Sequence, residues 1–230
     1  MNPISLFGLT SIACFGLPIL VILAFRLYRH ASLIALLLYY VLTIVHCLNA
    51  ESIPPVPNFQ SAWDVAYSYV EIPLMLSALL FFCPAKLRQQ KMHNIIIGFI
   101  IFEVMVSLYY KFTPEATIYI TAPGLLIIVL YTGFLFLRQA KFTFIHGKNA
   151  GRLLMLGGML FSYSCYLFVF YAYFIQHQTD VAGIYYVYFV ASTIASALVS
   201  VGLFMMRHRI KELQELKVVR KELQMYFGSL

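Results

Sequence analysis

Two carboxyl groups lie inside stretches of the chain that are otherwise apolar. Glu71 falls within residues 63–83 and Glu103 within residues 94–112. An ionisable side chain that faces lipid at such a depth costs about 2.5 kcal/mol or more, so both are expected to face the protein interior and to mark a functional site. Neither has a Lys or Arg deep in an apolar stretch with which to pair, and burial disfavours the charged form. We therefore expect one or both to be protonated at neutral pH, which is compatible with proton coupling.

The spacing of polar residues places several of them beside Glu71. Asp64, Tyr67 and Glu71 are separated by three and four positions, which puts them on one face of a helix. In the preceding apolar stretch four polar residues form one stripe at spacings of four, three and three: Tyr39, Thr43, His46 and Asn49. From these patterns we predict a ligand-binding site in the outer half of a helix bundle, lined by eight residues: Glu71, Glu103, His46, Tyr39, Tyr67, Tyr110, Tyr166 and Tyr188.

Catalytic chemistry has little support in the sequence, which contains no HExxH, GxSxG, Walker or GxGxxG motif. Four histidines fall in or beside the predicted cytoplasmic connections among basic residues, with no Asp nearby: His30, His93, His146 and His208. On the other side, a weak metal cluster is conceivable from four residues: His46, Asp64, His177 and Asp180. We assign no catalytic and no metal-binding residue, and the sequence favours a non-enzymatic function.

The amino-acid composition indicates the kind of structure that positions these residues. Of 230 residues, 62% are hydrophobic and 11% are charged, and the mean hydropathy is +0.83. A soluble protein of this size cannot bury so much apolar surface, so lipid is its expected solvent. Seven stretches are near the ~20 residues that a transmembrane helix needs: 5–28, 31–50, 62–83, 94–112, 117–138, 151–175 and 183–206. We predict an all-α, polytopic bundle of seven transmembrane helices over residues 1–206.

The basic residues predict the orientation, because cytoplasmic connections retain Lys and Arg. By this criterion 15 of the 16 basic residues fall on one side, and only Lys111 falls on the other. The N-terminus is therefore expected outside and the C-terminus in the cytoplasm of a cell-membrane protein, either in the plasma membrane or in a bacterial inner membrane. The net charge of +7 favours contact with anionic lipid over nucleic acid. The longest outer connection, 51–61, carries three prolines and is predicted to be a lid or a rigid link.

Residues 207–230 form the second predicted unit, a charged cytoplasmic helix. Positions 207–227 contain no Gly or Pro, and their apolar residues recur every three or four positions. One interpretation is an amphipathic helix that lies on the inner leaflet with its basic side chains against lipid. The other is a stalk that projects into the cytoplasm and pairs with a second copy of the chain or with an effector.

Two short segments resemble the rhodopsin family. The run Glu71-Ile-Pro-Leu-Met-Leu is similar to the counterion helix of microbial rhodopsins, and the segment 199–209 resembles the final turns of their last helix. The resemblance implies seven helices with the N-terminus outside. The lysine that binds retinal in that family is absent, and Leu198 stands near its place. We therefore expect the architecture without retinal or another cofactor.

Three functions follow as hypotheses. The first is a receptor-like or signal-transducing module, since the charged helix after the last span resembles that of seven-helix input regions of bacterial sensor proteins. Such a module would bind a small apolar or aromatic ligand and act through residues 207–227, with homo-oligomerisation also expected. The alternative is a proton-coupled transporter that uses Glu71 and Glu103. A third is an intramembrane zinc hydrolase, by resemblance to membrane hydrolases of the ceramidase type.

Overall fold

The fold is entirely helical in the residues that the computed structural model describes, which are 3–50, 59–83, 86–146, 149–176 and 181–227. These residues contain seven α-helices: α1 (Pro3–Ala24), α2 (Ala31–Ala50), α3 (Phe59–Leu79), α4 (Lys86–Tyr110), α5 (Pro114–His146), α6 (Ala150–Phe170) and α7 (Val181–Phe227). Short 3₁₀ segments follow α1 and α3, and a π-helical turn, Tyr171–Ile175, continues α6. The all-α prediction is confirmed.

Within the described residues, six helices are long and apolar enough to cross a bilayer, which suggests a membrane protein. The segments are Ala31–Asn49, Ala62–Phe82, Gln89–Tyr110, Glu115–Ile145, Ala150–Ile175 and Tyr186–Ile210. The corresponding part of α1, Gly8–Ala24, is shorter, so a seventh span and the orientation of the bundle stay predictions. The proline-rich connection for which a lid or a link was predicted lies largely outside the described residues.

Six of the helices form a closed ring around the core. In the ring, α1 contacts α2, α2 contacts α3, α3 contacts α5, α5 contacts α6, α6 contacts α7, and α7 returns to α1. The remaining helix, α4, packs outside the ring against α3 and α5. Its outward face is strongly apolar, with Ile97 56% exposed and Leu108 81% exposed. An exposed apolar face of this kind is expected where lipid is the solvent.

The helices α6 and α7 approach each other closely through glycines. A Cβ atom built on Gly202 would lie 2.6 Å from the carbonyl oxygen of Gly151, and one built on Gly158 would lie 3.0 Å from the carbonyl oxygen of Ala195. A side chain at Gly202 would force the two backbones apart, and one at Gly158 would require its neighbour to move by a few tenths of an ångström. Small residues at a helix interface allow this approach because packing, and not the hydrophobic effect, drives helix association in lipid.

Several helix boundaries differ from the predicted spans, and α4 begins at Lys86, eight residues before the predicted 94. The helix α1 ends at Ala24 because Arg26 adopts a left-handed backbone conformation with φ 54°, which a continuing helix excludes. At its C-terminal end, α5 continues eight residues past the predicted 138, to His146. No Gly or Pro interrupts the sequence between residue 138 and Gly147. The helix α7 passes the predicted boundary at residue 206 without a break and is 47 residues long.

Candidate functional site

Glu71 lies in the interior of the bundle, on α3. Its side chain is 5% exposed, and its carboxyl Oε1 accepts a hydrogen bond from the Tyr163 hydroxyl of α6 at 3.4 Å. This is long for a bond between two oxygens, for which 2.7–2.8 Å is about the usual value. Within the described part of the chain no Lys or Arg forms an ion pair with Glu71 or with Glu103. Among the described residues, the Glu71 carboxyl therefore has a weak neutral donor and no cationic partner.

A small cavity adjoins the Glu71 carboxyl between α1, α2, α3, α6 and α7. Its polar lining includes three serine hydroxyls, from Ser162, Ser192 and Ser196. The centre of a water-sized sphere can occupy about 20 Å³ of this cavity. By the same measure, a cavity needs about 10–15 Å³ to contain one water molecule. In this conformation the cavity therefore has room for a single small polar group and not for an aromatic ring.

Tyrosine rings form the aromatic wall of the same cavity. The chain of neighbours runs from Tyr39 to Tyr163 with ring centroids 6.5 Å apart, from Tyr163 to Tyr166 at 6.5 Å, and from Tyr166 to Tyr188 at 5.7 Å. The last pair meets edge to face, with an interplanar angle of 65°. Separations of 4.5–7 Å are typical of attractive aromatic pairs. The four rings connect α2, α6 and α7 around Glu71.

A polar cluster links α2 and α3 next to this wall. The imidazole of His46 stacks on the ring of Tyr67, with centroids 4.2 Å apart and planes 6° apart, and its Nδ1 lies 3.4 Å from Oδ1 of Asp64. The hydroxyls of Tyr67 and Thr43 are hydrogen-bonded at 3.0 Å, and the Thr43 hydroxyl also donates to the Tyr39 carbonyl at 2.8 Å. The two polar stripes recognised in the sequence therefore face each other.

Glu103 belongs to a different part of the molecule. It continues the buried face of α4, which packs on α3 and α5 and is formed by Met92, Ile96 and Phe99. Its side chain is 5% exposed, and its Oε1 has no hydrogen-bond partner among the described residues. The neighbouring Ser107 donates a hydrogen bond to the Glu103 backbone carbonyl at 2.6 Å, so it does not satisfy the carboxyl.

Glu71 and Glu103 lie on opposite sides of α3. The hydroxyl of Ser107, one turn from Glu103, is hydrogen-bonded to the Tyr69 hydroxyl of α3 at 2.8 Å. Tyr69 and Glu71 are two positions apart, which separates their side chains by about 200° around a helix of 3.6 residues per turn. Tyr69 therefore points to α4, whereas Glu71 points to the cavity. The two acids do not share one site.

Tyr110 is also remote from the cavity. It lies at the end of α4, where its ring stacks on Tyr119 of α5 with centroids 4.7 Å apart. Both line a wide surface groove at the connection between α4 and α5, together with Lys111 and Glu115. Tyrosines at such a position are typical of the boundary between membrane and water.

Four of the eight predicted residues line the cavity, namely Tyr39, Glu71, Tyr166 and Tyr188, while Tyr67 and His46 lie beside it. Tyr163 and the three cavity serines were not among the residues predicted from the sequence. The available signals were the polar run 162–166 in an apolar helix and the four-residue spacing of Ser192, Ser196 and Ser200. Of these three serines, Ser200 does not line the cavity, and its hydroxyl donates to the Ser196 carbonyl at 2.7 Å.

Metal ligands do not converge in the described ranges, where no three His, Cys, Asp or Glu side chains are close enough to hold an ion. His177 and Asp180, considered with His46 and Asp64 as a metal cluster, lie outside those ranges. Comparisons with protein-family models, with curated proteins and with solved structures find no match for this chain.

Proposed function

We propose that the protein is a receptor-like or signal-transducing membrane protein of seven helices. A small apolar or aromatic ligand binds at the Glu71 cavity, in the outer half of the bundle. The N-terminus lies outside and the C-terminus in the cytoplasm of a cell membrane, as the distribution of basic residues favours. No cofactor is part of the proposal.

The observation that carries this proposal is the continuity of α7. Tyr188, Ser192 and Ser196 of this helix line the cavity, and the same helix extends without interruption to Phe227. A helix of 47 residues is ~70 Å long, more than twice the ~30 Å hydrocarbon core of a bilayer. The absence of a break in α7 favours a projecting stalk over a separate helix that lies on the inner leaflet. A displacement of α7 at the cavity would therefore reach the segment 207–227.

The small size of the cavity supports coupling between binding and helix movement. A ligand larger than one water molecule enters only if the helices around Glu71 separate. Binding then stabilises the wider arrangement of the bundle over the closed one, by the difference in its affinity for the two. We propose that segment 207–227 transmits this change to a second copy of the chain or to a cytoplasmic effector.

The geometry gives less support to the two other hypotheses. A proton relay needs its acids within reach of each other or of connecting polar groups, yet Glu71 and Glu103 lie on opposite sides of α3. A zinc hydrolase needs converging ligands, and the described residues supply no such group.

A distance measurement between labelled helices tests the proposal. The four native cysteines are replaced, and nitroxide labels are attached at Phe144 of α5 and Met205 of α7, both of which are exposed. Aromatic compounds that raise the thermal stability of the wild-type protein are identified first. Such a ligand is expected to shift the distance between the labels by about 1–2 Å or more, as is usual for helix movements in switches.

Two variants, each with a matched control, complete this experiment. Glu71→Gln is expected to weaken ligand binding, whereas Glu103→Gln, which alters a buried acid away from the cavity, is the matched control. The variant His208→Pro interrupts α7 beyond the cavity. It is expected to retain ligand binding and to uncouple residues beyond 208, with His208→Ala as its control. A ligand that binds without any change in the distance, or that binds equally to Glu71→Gln, would contradict the proposal.

A further inference from the structure

We propose that the ligand of the Glu71 cavity carries a primary ammonium group, which forms an ion pair with Glu71 inside the tyrosine wall. This inference rests on the proposed function and specifies the chemistry of its ligand. The starting observation is a buried acid that meets no basic side chain among the described residues. The described residues place a carboxyl at 5% exposure and provide no Lys or Arg to pair with it. A cationic ligand supplies the missing partner.

The hydrogen bonds of Glu71 leave room for such a partner. Its bond from Tyr163 is 3.4 Å long, so this neutral donor satisfies the carboxyl only weakly. Hydrogen bonds between an ammonium and a carboxylate are roughly twice as strong as those between neutral groups. An ammonium also has three N–H donors, and the hydroxyl oxygens of Ser162, Ser192 and Ser196 on the cavity wall are available types of acceptor.

The lining also fits a cation better than a neutral group. Tyrosine rings attract a cation that lies over their faces within about 6 Å, and an ion pair in the same low-dielectric space adds to this attraction. Tyr39, Tyr163, Tyr166 and Tyr188 adjoin the cavity that Glu71 enters. Aromatic rings that surround a cation are a known means of binding organic ammonium ions.

The size of the cavity selects among such ions. The space of about 20 Å³ beside Glu71 accepts one water-sized group, and a primary ammonium has that size. A trimethylammonium group is several times larger, so it needs a wider separation of the rings beside the carboxyl than a primary ammonium does. The remainder of the ligand then extends away from Glu71 along Tyr166 and Tyr188, which are only partly buried.

Three compounds with one skeleton test this inference: 2-phenylethylammonium, 2-phenylethanol and N,N,N-trimethyl-2-phenylethylammonium. They are accompanied by methylammonium and n-butylammonium to vary the apolar part. Binding to the purified full-length protein in lipid nanodiscs is measured from the shift of the thermal unfolding midpoint and by calorimetry. 2-Phenylethylammonium is expected to bind at least about 10-fold more tightly than 2-phenylethanol, since a hydrogen bond to a charged group is stronger than one between neutral groups.

Variants then assign the effect to the cavity. Glu71→Gln is expected to remove the preference for amine over alcohol, and Glu103→Gln to retain it. Tyr166→Leu, at a partly buried position, is expected to weaken amine binding by about two- to fivefold, whereas Tyr166→Phe keeps the ring and the affinity within about twofold. Because the Tyr166 pair does not alter the carboxyl, it tests the inference even if Glu71→Gln does not fold.

The outcomes separate this inference from the proposed function. If the alcohol binds as tightly as the amine, the ammonium inference is overturned and the ligand site stands. If the trimethylated compound binds as tightly as the primary amine, the assignment to a primary ammonium is overturned. If none of the amines binds while other aromatic compounds shift the distance between the α5 and α7 labels, the inference fails and the proposed function remains.

Discussion

Glu71 of α3 and Tyr163 of α6 meet in the middle of the bundle, where the Tyr163 hydroxyl lies 3.4 Å from the Glu71 carboxyl. The two residues are 92 positions apart in the chain, and both are buried. The helices that carry them are not neighbours in the ring, because α5 lies between α3 and α6. The contact therefore crosses the core, and because it lies beside the cavity, we expect the stability of the bundle and the proposed ligand binding to depend on the same pair of residues.

Removal of the Tyr163 hydroxyl tests this contact. The variant Tyr163→Phe retains the ring and deletes the hydrogen bond to Glu71, which is expected to lower the free energy of unfolding by about 1 kcal/mol. For a chain of this size such a loss lowers the unfolding midpoint by about 2–4 °C. Thermal unfolding of the variant and the wild type in nanodiscs measures this shift of the midpoint. The matched control is Tyr173→Phe, which alters an exposed tyrosine and is expected to change nothing. Equal stability of both variants would argue against a structural contribution of this bond.

Glu103 is expected to destabilise the protein. Its carboxyl is buried and leaves Oε1 without a hydrogen-bond partner among the described residues, and an unsatisfied buried polar group costs about 1–3 kcal/mol. The variant Glu103→Met, of similar length and without polar atoms, is therefore expected to raise the unfolding midpoint. Glu71→Met is the contrasting variant, since it deprives Tyr163 of its acceptor and is expected to lower stability. A loss of stability in Glu103→Met would show that its carboxyl has a partner that stabilises the fold.

The contact between α2 and α3 depends on the ring of Tyr67. Tyr67→Phe keeps the stack on His46 and loses the hydrogen bond to Thr43, which is expected to cost about 1 kcal/mol. Tyr67→Leu loses both and is expected to cost about 0.5–1.5 kcal/mol more, the contribution of an aromatic pair. Chemical unfolding of the two variants beside the wild type measures the difference. Equal losses in both would mean that the stack with His46 adds no stability.

The glycine contact between α6 and α7 is expected to tolerate no side chain. In Gly202→Ala the new Cβ would lie 2.5 Å from Met155 Cγ and 2.6 Å from the Gly151 carbonyl oxygen, so α7 must move away from α6 at a cost of about 1–3 kcal/mol. Gly98→Ala is the control, because no atom lies within 4 Å of a Cβ there and alanine favours the helix. Thermal unfolding compares the two. If Gly202→Ala is as stable as Gly98→Ala, the close approach of the helices does not hold in the membrane.

Much of the site was predictable where the evidence is local. The helical period places Asp64, Tyr67 and Glu71 on one face, and the structure keeps them there, in contact with the stripe from α2. The same period identifies Glu103 as a buried acid, and it is buried. Glu103 was expected in one site with Glu71 because both are carboxyl groups inside apolar stretches, and Tyr110 lies seven positions after Glu103 on the same helix face. Burial does not specify on which side of a neighbouring helix a residue lies.

The sequence by itself determined the class of the fold and the burial of the two acids. Hydropathy and a period of 3.6 residues depend on neighbours along the chain, and lipid as a solvent favours internally hydrogen-bonded helices. The tertiary structure alone decided which faces meet: that α4 lies outside the ring, that α3 separates the two acids, and that Tyr163 reaches Glu71 across the core. Such pairings depend on how closely whole helices approach, and that distance is set by the packing of residues far apart in the chain, such as Gly151 against Gly202.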